Sequence, residues 1–538
     1  MTQLLDLFGF LSVVLRGLTL ALQSLVIGGM VFALLVDRGE SGAAAARACR
    51  RLLVGSALAL ALAQAAFVAA DSAILMTTAD LGLAEVAGAS FFLAGSAAVA
   101  LALAAALLSG RGSRRQRWVA ALVLAGGLLA TSVATSHAAA RLENRAIPIL
   151  LTALHQAATA CWVGGLPYLL IALARARDAA AARLLAARFS RLAQVGVAVL
   201  VGAGLGLATL YVGSAAAVLG TAYGAMVGAK VMLLLLLLGL GALNYFIVRR
   251  VEAGDAGLLA RLRRFAEAEV GIGFTVVLAA ASLTSQPPAA DLTSAPVPLA
   301  EIAARMAPRW PRLTPPAARD MVAPSRLAPA TVASQALESF VPGQLAEPPT
   351  PGETDLSEFN HHVSGVVVLS AGLLALAARA GWRWARNWPL AFLALAAFLF
   401  LLADAEYWPV GPLSFWRGFT VSEALQHRLA VLLIVAFAYF ERRVQTGRTR
   451  SPAVALVFPF VCVLGGALLL THSHSLNNPR EELLVELSHV PIAVLGVAAG
   501  WSRWLELRLE DGRRRTLSWV WPICFILVGA VLIAYRET

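Results

Sequence analysis

Apolar residues in this chain come in long unbroken runs, not in alternation. Stretches of about 20 residues lie at approximately 8–36, 52–74, 86–109, 118–137, 147–174, 192–214, 222–248 and 267–285. After a break they resume at 360–380, 388–404, 424–440, 453–472, 484–503 and 516–535. A hydrocarbon core of about 30 Å takes roughly 20 apolar residues of helix. Backbone groups in lipid must pair internally, which leaves helices or a closed barrel. Runs such as 231–240 and 391–402 are continuously apolar, so the pattern predicts an all-α polytopic membrane protein with about 14 transmembrane helices.

The polar intervals between the runs set an orientation. Arginines cluster after every odd-numbered stretch, as in Arg111, Arg114, Arg115 and Arg117 after the third and Arg503, Arg508, Arg513, Arg514 and Arg515 after the thirteenth. Alternate intervals carry Asp71, Asp80 and Glu85, or Asp404 and Glu406, with few arginines. Short basic loops stay on the cytoplasmic side, so both termini are expected outside. The break is rich in Pro and Ala, as in Glu347-Pro348-Pro349-Thr350-Pro351, which favours an extended linker. The expected organisation is therefore eight helices over 1–285, an outer linker over 286–358 and six helices over 359–538. No internal repeat joins the two halves.

Composition agrees and removes alternatives. Of 538 residues, 59% are hydrophobic and 14% charged, with mean hydropathy +0.76. The net charge of +12 is carried by arginine, since Lys230 is the only lysine and sits inside an apolar run. That is a positive-inside distribution and not a nucleic-acid footprint. The cysteines Cys49, Cys161, Cys462 and Cys524 form no CxxC pair, so no disulfide framework or zinc ribbon is indicated. The first stretch is too long, and lacks the basic start, for a cleavable signal. No GxxxxGK[ST] phosphate loop occurs.

Under this topology all eight histidines fall at the outer face. His137 ends the fourth stretch, and His155 lies about two turns into the fifth. His361 and His362 open the ninth, and His427 lies one turn into the eleventh. His472 and His474 end the twelfth, and His489 lies about a turn into the thirteenth. Neutral imidazole is the commonest protein ligand for transition metals, although any one of these residues reads equally well as a polar group near headgroups. His472-Ser473-His474 offers two nitrogens to one site only if the helix ends there, since residues two apart lie about 200° apart on a regular helix. Glu482, Glu486 and His489 share a face, as do Glu423 and His427. A carboxylate beside an imidazole orients it, while the same glutamates also suit a helix start. Met76 and Cys161 are auxiliary candidates; so few soft ligands leave copper(I), copper(II), zinc and haem iron all open. Lys230 and Arg16 lie within apolar runs, where a charge either faces the bundle interior or snorkels to the interface.

The segment 154–166, Leu-His-Gln-Ala-Ala-Thr-Ala-Cys-Trp-Val-Gly-Gly-Leu, resembles the hallmark of the copper resistance D (CopD) membrane proteins. Ser136-His137-Ala138, Arg188-Phe189-Ser190-Arg191-Leu192, Thr221-Ala222-Tyr223-Gly224, Lys230, Arg264-Phe265 and Glu269 follow the family's order. The resemblance covers about 1–290. Gln426-His427-Arg428, the run 471–477 and Glu486-Leu487-Ser488-His489 resemble C-terminal extensions of some bacterial members.

The resemblance implies copper binding and transport at the bacterial inner membrane, supplied by a periplasmic copper carrier, and so a transporter in preference to an enzyme. It implies a metal site at His137 and His155 and a second at His361, His362, His427, His472, His474 and His489. Two alternatives stand beside it. One is a redox protein with haem b held by histidines of neighbouring helices; the other is an accessory protein for copper-enzyme assembly.

Overall fold

The computed structural model describes residues 2–79, 81–141, 143–250, 256–292, 295–307, 309–316, 351–420, 422–471, 479–509 and 513–536. Among the described residues, fourteen helices are long and apolar enough to cross a membrane: α1 (Leu11–Asp37), α2 (Ala43–Thr78), α3 (Ser90–Leu108), α4 (Arg114–Ala134), α5 (Ala146–Arg175), α6 (Ala179–Tyr211), α7 (Ala222–Arg250), α8 (Gly257–Leu283), α9 (Thr354–Arg379), α10 (Trp384–Leu402), α11 (Ala424–Gln445), α12 (Pro452–Leu470), α13 (Leu483–Arg508) and α14 (Arg515–Ile533). Among the described residues there is no β-strand, only one isolated bridge between Tyr407 and Leu413. The protein is an all-α, multi-pass membrane protein.

Several helices start well before the apolar pattern, α2, α6, α8 and the helix containing α9 among them. α8 begins ten residues before the predicted 267, because Arg261, Arg263 and Arg264 continue the helix with polar side chains that an interface accepts. The helix containing α9 begins at Pro351; proline suits the first helical turn, and Asp355 and Glu358 near that end complement the dipole. Hydropathy marks where lipid begins, not where the helix does.

The chain divides into two compact units. The first contains Leu11–Ser214 and Lys230–Asp291. Its α1 and α5 meet where α5 opens into a π-helical segment, Ala160–Gly164. A Cβ at Gly164 would strike the Ser24 main chain, and one at Gly28 would strike Ala160 and Gly164. The Trp-Val-Gly-Gly run is thus a point of close helix approach, where small residues let backbones meet.

The second unit contains Leu292–Thr538 with Met1–Phe10 and Ala215–Ala229. Its helices form a ring: α9 packs on α10, α10 on α11, α11 on α12, α12 on α13, α13 on α14, and α14 returns to α9. Trp388, Phe392, Phe437, Phe458, Trp521 and Phe525 fill its centre. At the arginine-rich end, buried Arg503 pairs with Glu441 at 3.0 Å and Glu506 at 2.8 Å, and Arg379 reaches Glu506 at 2.7 Å. The Trp521 indole also donates to Glu506, at 2.9 Å. His361, His362, His427 and His489 lie toward the opposite ends of their helices; His361 and Arg379, for example, are 18 residues, about 27 Å of helix, apart.

Candidate metal centre

α9 and α14 approach through glycines: a Cβ at Gly365 would meet Ile533 and Gly529, and one at Gly529 would meet Leu369. This contact brings the start of α9 against the end of α14. There the His361 ring lies on the Tyr535 ring, with centroids 3.7 Å apart and planes 18° apart. His489 of α13 meets His361 edge-on, with ring centroids 5.8 Å apart. His489 also stands edge-on to Tyr535, at 6.0 Å.

The hydrogen bonds fix the tautomers. His361 Nδ1 lies 2.8 Å from the Ser357 carbonyl, and His489 Nδ1 lies 2.8 Å from the Val485 carbonyl. A carbonyl only accepts, so each neutral ring carries its proton on Nδ1 and its lone pair on Nε2. His427, in the first turn of α11, holds Asp404 Oδ1 through Nδ1 at 2.8 Å, the carboxylate–imidazole arrangement that orients metal-ligating histidines. It lies within electrostatic reach of His361. The neutral tautomers of these three imidazoles thus carry the proton on Nδ1 and the lone pair on Nε2. Among the described residues no three His, Cys, Asp or Glu stand close enough together to hold a metal ion as placed.

His362, its neighbour in sequence, is used differently. Its Nδ1 accepts from the Arg312 amide at 2.8 Å, and its Nε2 donates to the Tyr535 carbonyl at 2.9 Å. The ring is buried and both nitrogens are engaged by main chain. It ties the segment before α9 to the end of α14, leaving no lone pair for a metal.

In the first unit the expected pair faces different neighbours. His137, between α4 and α5, lies close to the main chain of Leu283 and Thr284 and to the charges of Asp291 and Arg16. Burial lowers its pKa below the usual imidazole value, with Asp291 opposing, so the ring is neutral at pH 7. His155 of α5 directs Nδ1 to the Leu200 carbonyl of α6 at 3.3 Å, beside Gly204. Lys230 of α7 lies within electrostatic reach of His155. Arg16 of α1 donates to Thr135 Oγ1 at 3.3 Å and feels the charge of Asp71.

The auxiliary candidates separate. Met76 is exposed near the end of α2. Cys161 lies half-buried in the π segment of α5. Glu486 is buried on α13 one turn before His489. His472 and His474 lie outside the described residues, and the side chains of Glu423 and Glu482 are likewise outside them. Tyr535 and Asp404 join the site without a signal that singled them out as site residues: the tyrosine ends the last apolar run, and the aspartate sits 23 residues before His427.

Three comparisons bear on identity. The family profile described as copper resistance protein D matches residues 183–283, a stretch that takes in most of α6 and all of α7 and α8. The copper transport protein CutJ of Bacillus subtilis (strain 168) is 30% identical over 293 residues, covering 51% of this chain and 52% of that protein. The chain therefore spans about half the length of this curated relative. No solved structure matches.

Proposed function

The chain is a CopD-family protein by its domain at residues 183–283, and from that premise we propose that it binds copper at the histidine end of the six-helix ring and passes it across the bacterial inner membrane. The family description and the relative's name both support a copper-related membrane function. The observation that carries the finer reading is the His361–His489 pair, each ring held by a helix carbonyl through Nδ1. Copper accepts imidazole in either oxidation state. His427, braced by Asp404, is the third ligand once α11 closes on the pair.

His362 stands outside this ligand set as a structural pin. In the first unit, His137 and His155 are separate stations and not one chelate: His137 at the loop between α4 and α5, His155 inside α5. The arginine distribution supports a periplasmic position for the histidine ends, where a periplasmic copper carrier delivers the ion. Copper is the cargo.

Proteoliposomes loaded with a copper-sensitive dye test the reading. The wild type is expected to move copper inward, and His361→Ala with His489→Ala to abolish that movement while the protein still folds and reconstitutes. Equal rates for the wild type and the double variant would overturn the assignment of these histidines.

A further inference from the structure

The first unit holds a buried carboxyl that no copper ligand set uses. Glu269 of α8 is 3% exposed, five residues beyond Arg264 at the arginine-rich end of that helix. Its partners are neutral: Asn244 Nδ2 of α7 donates to Oε1 at 2.5 Å, and the Trp162 indole of α5 also bonds it. The nearby Arg264 is engaged by Glu267 at 2.6 Å. A carboxyl at membrane depth without a cation beside it is expensive to keep, and such residues mark proton relays and ion paths.

Glu269 also faces open space. It lines a cavity of about 450 Å³ between α5, α6, α7 and α8, whose walls include Leu166, Phe189, Leu238 and Leu262. Ser190 and Gln194 of α6 supply polar groups to the wall, and Tyr245 of α7, bonded by Arg249 at 3.2 Å, is the other titratable side chain lining it. The Asn244 Oδ1 atom is buried with no partner among the described residues. Asn244 itself lines the cavity beside Glu269.

We propose that Glu269, with Asn244, is an intramembrane proton-binding site filled from the arginine-rich side and coupled to copper movement. The O–H bond of a hydronium or water in the cavity breaks as the carboxylate takes the proton; the reverse step returns it to water. No redox partner is involved. The coupling rests on the copper reading above, and the helices supply it. Trp162 lies two turns beyond His155 on α5, inside the π segment, a feature frequent at functional sites. α6 contacts His155 at Leu200 and lines the cavity at Gln194 and Val197. A change in the α5 bulge therefore alters the surroundings of His155 and Glu269 together.

Two measurements on the full chain separate this proposal from the transport reading. Dicyclohexylcarbodiimide, an apolar reagent for protonated carboxyls, should label Glu269 of the wild-type protein in membranes at low pH and lose that labelling as pH rises. Absence of label at Glu269, or labelling independent of pH, would overturn the proton site whether or not copper moves. In proteoliposomes holding a pH-sensitive dye, Glu269→Gln should retain copper binding and lose copper-driven proton movement. Proton movement equal to the wild type would overturn the coupling. Wild-type vesicles that move no copper would overturn both the coupling and the transport reading, and the carbodiimide result would still decide the proton site.

Discussion

Two adjacent histidines show what a single position can do. His361 and His362 are identical in type and one residue apart, but a helix turns about 100° per residue, so they face different surroundings. His361 stacks on Tyr535 and meets His489; His362 is spent on the Arg312 amide and the Tyr535 carbonyl. Replacing His362 with Ala removes its hydrogen bonds to the Arg312 amide and the Tyr535 carbonyl, at about 1 kcal/mol each. His362→Ala should therefore melt at lower temperature and keep its copper stoichiometry, whereas His489→Ala should lose copper with little change in melting. Thermal unfolding and elemental analysis of both variants check this pair of outcomes. His137 carries the pH expectation. Burial lowers its folded-state pKa, so between that value and the unfolded value near 6.5 the unfolded chain binds more protons. Its contribution is present above about pH 6.5 and is lost as the pH falls below that. The drop in melting temperature between pH 7 and pH 5 should shrink in His137→Gln, and an unchanged drop would contradict it. At this scale the sequence marked every imidazole and could not say which nitrogen each would offer, because that depends on carbonyls and carboxylates of the folded neighbours.

At the scale of the helix, the spans were legible because lipid demands a continuous apolar run and nothing subtler. Their ends were not: α8 and the α9 helix extend into polar sequence that hydropathy does not score. The packing was half legible. Trp162-Val163-Gly164-Gly165 stood out as a family-like motif, but its physical role, a π segment against α1, needs the fold. Gly164→Ala puts a methyl into the Ser24 main chain. Overpacking costs about 1–3 kcal/mol, so this variant should unfold earlier than Gly202→Ala, where a Cβ has open space. Comparable melting of the two would contradict the close approach. The buried Arg503–Glu441–Glu506 cluster lay hidden for a related reason. Its members are 62 and 3 residues apart, and each reads in sequence as one more polar residue at a helix end.

Across the whole molecule, alternation of arginine-rich and arginine-poor loops gives an orientation that seven intervals share. The arginine-rich ends are expected in the cytoplasm, and the histidine ends of the six-helix ring in the periplasm. A cysteine placed at exposed Arg448, in the loop after α11, should react with an impermeant maleimide only after spheroplasts are lysed. Labelling of intact spheroplasts would invert the topology and reverse the proposed direction of copper. The Pro- and Ala-rich break sets an expected division into eight and six helices, whereas the compact units group Ala215–Ala229 with Leu292–Thr538, a grouping that hydropathy does not carry.

The central claim is that the paired imidazoles of α9 and α13 hold copper. Elemental analysis and an absorption spectrum on one purified, copper-exposed sample test it most directly, with the His361→Ala/His489→Ala variant alongside. The account predicts bound copper and no Soret band in the wild type, with the copper lost from the variant. A Soret band that disappears in the variant, or copper retained there at the wild-type level, would contradict it.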